Sequence, residues 1–152
     1  MRSSTCGILV VVSVCLVFVA GCRGKAVGTA ALRGNGTATA QFQSSGKQLV
    51  LWADTDGEWQ GASKSHFPAH YEIDVLAKGV RVAHVSCDSA SASTSVCGST
   101  VTINSKHRGD CELKLNCQLP IIPAGPAAIQ VTGTVGPGVT NVTNMSINVR
   151  EK

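Results

Sequence analysis

The chain has 152 residues, 4% of them aromatic and 14% charged, and a formal charge of +4. Once a short leader is removed, that length leaves room for one domain with a modest core and not for two. The basic residues are scattered along the chain and no basic stripe interleaves with aromatics, which argues against a nucleic-acid partner.

Residues 1–21 read as a secretory signal. Arg2 supplies a positive start, and Gly7 to Phe18 is an almost unbroken apolar run. The run falls short of the ~20 apolar residues a spanning helix needs and has the length of a signal-peptide core. Val19-Ala20-Gly21-Cys22 resembles the lipobox of bacterial lipoproteins, a resemblance confined to the leader and Cys22. It implies an acylated Cys22 that becomes the first mature residue. It also implies a protein held by lipid on the outer side of the cytoplasmic membrane or in the outer membrane. Position 19 is Val where Leu is commoner, and Arg23 rather than Asp follows the cysteine, which by that family's sorting habit points to the outer membrane. One acyl chain binds at only roughly 10⁴ M⁻¹, whereas two or three hold firmly. Residues 22–36 are then the lipidated cysteine and a Gly/Ala-rich tether, with an extra edge strand at Val27 to Leu32 as the alternative.

From residue 37 to 152 alternation recurs. In Thr37 to Gln43, Ala38, Ala40 and Phe42 share a face, and Gln48 to Asp54 is apolar on both faces, as in a central strand. Tyr71 to Ala77 alternates, Lys78-Gly79 is a tight hairpin signal, and Val80 to Cys87 returns. Ser99 to Asn104, Cys111 to Cys117, Ala127 to Val135 and Thr140 to Arg150 follow. About eight strands with no helical period predict an all-β fold, an antiparallel β-sandwich or jelly-roll. The scarcity of aromatics predicts a thin core of Val, Ile, Leu and Ala that cross-links would help.

Beyond Cys6, Cys15 and Cys22 the chain holds Cys87, Cys97, Cys111 and Cys117. In an exported domain these read as two disulfides, and their spacing does not match paired CxxC zinc knuckles. If Cys111 to Cys117 is one straight strand, its ends lie ~20 Å apart, beyond the ~7 Å a disulfide tolerates. A hairpin around the loop 105–109 that sets Ile103 against Cys111 brings Cys97 to Cys117. That register favours Cys97–Cys117 with Cys87–Cys111. The local pairing, 87 with 97 and 111 with 117, stays open should the strand bend.

Few residues suggest chemistry. Asp54, Asp56 and Glu58 alternate, so in an extended chain they share a face and offer oxygen ligands for Ca²⁺. The competing reading is a polar turn with Asp56-Gly57 at its corner. Trp52 and Trp59 flank the segment as core anchors or an exposed platform, with Trp52 the better core candidate. His66 and His70 have the spacing of helical zinc ligands, but Pro68 between them breaks such a helix. His107 reads as a solvent-exposed hairpin tip and His84 as a satisfied strand residue. No G-x-S-x-G elbow is present.

The sequence thus predicts a membrane-anchored envelope lipoprotein whose sandwich has a non-catalytic binding or structural role. Its partners would be the membrane, through Cys22, and an envelope protein or glycan. A Ca²⁺-dependent module built on residues 54–58 and an exported enzyme assembled only in three dimensions are the alternatives.

Overall fold

The computed structural model describes residues 24–61 and 68–152. Cys22 and the leader, and His66, lie outside them. Nine strands occur among the described residues. They are β1 (Lys25–Leu32), β2 (Gly36–Ser44), β3 (Leu49–Gln60), β4 (Ala69–Ala77), β5 (Val80–Asp88), β6 (Thr94–Ile103), β7 (Lys106–Lys114), β8 (Gly125–Val135) and β9 (Val139–Glu151), with one 3₁₀ turn at Ser89–Ser91. One sheet has the order β1-β9-β3-β7-β6 and the other β2-β8-β4-β5. Every neighbouring pair is antiparallel. The fold is the all-β sandwich that the alternation predicts.

Period-two patterning fills the space between the sheets. Leu49, Leu51, Ala53 and Trp59 of β3 and Met145, Ile147 and Val149 of β9 point inward from the first sheet. Tyr71, Ile73 and Val75 of β4 and Ile129 and Val131 of β8 point inward from the second. Burying each large aliphatic side chain stabilises by roughly 1.5–3 kcal/mol. Gly133 lets the layers close up, since a Cβ there would come within 2.7 Å of Met145 Cε and 2.9 Å of Leu32 Cδ1.

Two hairpins close on two-residue turns with positive φ at both positions, as a type I′ turn requires. Lys78-Gly79 joins β4 to β5 as the sequence predicts, with φ 51° and 80°. Asn104-Ser105 joins β6 to β7, with φ 49° and 65°, and this second turn corrects the cysteine pairing. The expected five-residue loop gives way to a tight turn in which Ile103 faces Lys106 and Cys97 faces Cys111. The disulfides are therefore Cys97–Cys111 and Cys87–Cys117, not Cys97–Cys117 with Cys87–Cys111. A register slip at Gly98 sits beside the first bridge. Strand β7 ends at Lys114, so Cys117 lies past the ladder and reaches β5 of the other sheet.

Two boundaries also differ from expectation. Lys25–Leu32 pairs with β9 from Lys25↔Glu151 to Leu32↔Met145, so most of the predicted tether is the edge strand named as its alternative. β3 runs on to Gln60, and the polar turn expected at Asp56-Gly57 does not form. Thr55, Gly57 and Trp59 continue the inward row begun by Leu49, and burial of Trp59 outweighs the local turn preference of Asp-Gly.

Candidate functional site

The outer face of the first sheet carries the predicted Ca²⁺ ligands. Asp54, Asp56 and Glu58 share a face of β3 as the alternation requires, but they stand in a line along it. Alternate residues of a strand are separated by roughly 6.6 Å, while Ca²⁺ holds its oxygens at ~2.3–2.6 Å. Asp54 instead accepts a hydrogen bond from Asn148 Nδ2 at 2.7 Å, and Glu58 lies 3.9 Å from the Arg108 guanidinium. Nearby, Arg150 bonds Glu112 at 3.0 Å and lies over the Trp52 ring at 5.6 Å. A Ca²⁺ site filled a hundredfold above its Kd would stabilise the protein by about 2.7 kcal/mol. Thermal melts with and without millimolar Ca²⁺ are expected to coincide, and a raised midpoint would restore the predicted site.

Neither tryptophan is a ligand platform. Trp52 is buried on the outer face beneath Arg150, and Trp59 is buried between the sheets at 1% exposure. Trp59 stacks on His107 with ring centroids 5.5 Å apart. His107 is therefore not the exposed tip that the sequence suggests, being 3% exposed. The tight Asn104-Ser105 turn shifts the hairpin tip away from it and turns it inward. Gly61 O, 3.1 Å from Nε2, can only accept, so in the neutral ring Nε2 carries the hydrogen. Nδ1 then takes a hydrogen bond from the Thr102 hydroxyl at 2.9 Å.

The densest polar array covers the outer face of β4 and β5. The outward residues of β4 are His70, Glu72 and Asp74, and those of β5 are His84, Ser86 and Asp88. The register sets His70 opposite Asp88, Glu72 opposite Ser86 and Asp74 opposite His84. The side chains form one row. Asp88 Oδ1 meets His70 Nδ1 at 2.8 Å, and His70 Nε2 meets Glu72 Oε1 at 2.6 Å. Glu72 Oε2 meets His84 Nε2 at 2.8 Å, His84 Nδ1 meets Asp74 Oδ1 at 2.8 Å, and Arg81 closes the row on Asp74 at 3.5 Å. Each imidazole sits between two carboxylates. Hydrogen bonding to Glu72, then to Asp88, raises the pKa of His70 above 6.5, and Asp74 does the same for His84. Reciprocally, His70 lowers that of Glu72 and His84 that of Asp74.

The row includes a serine–histidine–aspartate sequence of contacts, since Ser86 Oγ lies 3.3 Å from His70 Nε2. A general base needs a free lone pair on that nitrogen. Glu72, closer at 2.6 Å, claims its hydrogen instead, so His70 is poorly set to take a proton from Ser86. The contacts are also strung out rather than convergent. Among the described residues no group of three or more His, Cys, Asp or Glu is positioned to hold a metal ion. Sequence reasoning missed this row although its signal was present. HYEID at 70–74 and HVSCD at 84–88 are two H-x-[ES]-x-D strands facing each other across the predicted Lys78-Gly79 hairpin. No protein-family model matches the chain, and no curated protein matches it either.

Proposed function

We propose that this protein is an exported lipoprotein, anchored through Cys22, whose β-sandwich serves the cell envelope as a structural or binding domain rather than as an enzyme. The observation that carries the reading is the pair of disulfides, Cys87–Cys117 and Cys97–Cys111. Such bonds persist in oxidising, extracytoplasmic compartments, and the lipobox-like Val19–Cys22 supplies the route there. No helix among the described residues is long and apolar enough to cross a membrane, and acylation of Cys22 is the attachment this reading names. The absence of a competent nucleophile–base pair in the β4–β5 row favours recognition of an envelope protein or glycan over catalysis.

Intact mass of the protein from its own membranes, with and without reduction, tests this. The expected mass is that of a chain starting at acylated Cys22, rising as two disulfides open. A lipid-free mass starting elsewhere would remove the anchor, and a mass unchanged by reduction would remove the compartment. Cross-linking in intact cells followed by pull-down tests recognition, and an empty pull-down would leave only a structural role.

A further inference from the structure

We propose that the row of acids and imidazoles across β4 and β5 is a pH-operated latch that fastens edge strand β5 in mild acid and loosens it towards neutral and alkaline pH. Strand β5 ends the second sheet, with a backbone ladder to β4 on one side and the Cys87–Cys117 bond near its end. Its one fully buried side chain is Cys87, with Ala83 and Val85 half-buried, and Val80 and Val82 are exposed. Elements with few buried apolar contacts open at low free-energy cost. The side-chain row therefore matters more to β5 than it would to an interior strand.

The chemistry of the row makes it responsive to protons. Both nitrogens of His70 and of His84 face a carboxylate oxygen. Only the imidazolium has hydrogens on both nitrogens. Loss of one proton turns one contact of each ring into a lone pair against an anion. Charge acts in the same direction. With both rings protonated, Glu72, Asp74 and Asp88 are balanced by His70, His84 and Arg81, whereas with both rings neutral the three carboxylates face, among the described residues of the row, only Arg81. Besides these, β5 contributes only Ser86 to the row. On the other side of β4 the partners of His70, Glu72 and Asp74 on β8 are Thr134, Thr132 and Gln130. No titrating group of β8 compensates.

The pH window follows from the direction of each shift. The histidines bind protons more tightly in the fold, so their contribution is complete below 6.5 and lost as pH rises through their raised values. Glu72 and Asp74 bind protons less tightly in the fold. Their contribution is complete above 4.5 and 3.8 and lost as pH falls through their lowered values. Both are complete together between about 4.5 and 6.5. The Cys87–Cys117 bond pins one end of β5, which confines loosening to the stretch from Val80 to Ser86.

Histidine ¹³C NMR titration and amide hydrogen exchange on the oxidised whole chain test the latch, with exchange corrected for the intrinsic pH dependence. His70 and His84 are expected to titrate above 6.5, and residues 80–86 to be several-fold better protected at pH 6 than at pH 8. β8 and β9 amides should keep constant protection. Glu72→Gln should bring both midpoints back towards 6.5 and shrink the protection difference. Should that variant fold poorly, the double variant His70→Asn/His84→Asn gives the same reading through loss of the pH dependence. Midpoints at or below 6.5, or protection of β5 that ignores pH in the unsubstituted protein, would overturn the latch.

Discussion

Trp59→Ala is expected to cost about 3–5 kcal/mol of folding stability. Trp59 is the largest fully buried side chain, and its removal leaves a hole at one end of the core. The stacked His107 loses its ring partner, and aromatic pairs contribute ~0.5–1.5 kcal/mol beyond burial. Against the 5–15 kcal/mol typical of a domain, such a loss is a large fraction of the whole. Urea unfolding at constant m-value measures it. Trp52→Ala is the control, because Trp52 lies under Arg150 on the outer face of the sheet rather than between the sheets. A larger loss at Trp52 than at Trp59 would mean that the two faces of β3 have been assigned the wrong way round.

Replacing Cys87 and Cys117 together by Ser should lower stability by roughly 3.5 kcal/mol, and replacing Cys97 and Cys111 by about 3 kcal/mol. The difference reflects the loops closed, with sequence separations of 30 and 14. The smaller loop lies inside the larger, so the combined loss should be less than the sum. Denaturant midpoints of the three variants measure this. A non-reducing peptide map checks the connectivity itself, and a fragment linking Cys97 to Cys117 would sink the tight β6–β7 register. The Cys87–Cys117 variant should also release β5 from its pinned end, extending the pH-dependent opening as far as Asp88.

The sandwich was legible in the sequence because alternation is a local signal. TATAQFQ at 37–43 and the apolar positions of 71–77 mark their faces without help from any neighbour. Features set by pairing were not legible in the same way. The cysteine connectivity turned on whether Asn104-Ser105 or a longer loop closes the β6–β7 hairpin, and a shift of a few residues there exchanges Cys111 for Cys117 opposite Cys97. Asp56-Gly57 has the composition of a turn, yet the buried row from Leu49 to Trp59 keeps it extended. The β4–β5 row was within reach, since both strands and their hairpin are predicted correctly. Reading each histidine singly hid it, because the pattern exists only when the outward faces of two strands are laid side by side.

The pairing of Lys25 with Glu151 has a consequence for reach. Between Cys22 and the first hydrogen-bonded strand there are only Arg23 and Gly24. Three residue steps span at most about 11 Å even when fully extended. The lipid proposed at Cys22 would therefore not leave the domain floating on a long leash. With the proposed lipid on Cys22 the domain would sit within headgroup distance of the bilayer, and because β1 and β9 lie side by side, Glu151 would be held at that same level. A bulky fusion placed after Lys152 would have to share this space with the lipid surface, whereas an anchor moved outward by an inserted linker would change what the domain can touch without altering its fold.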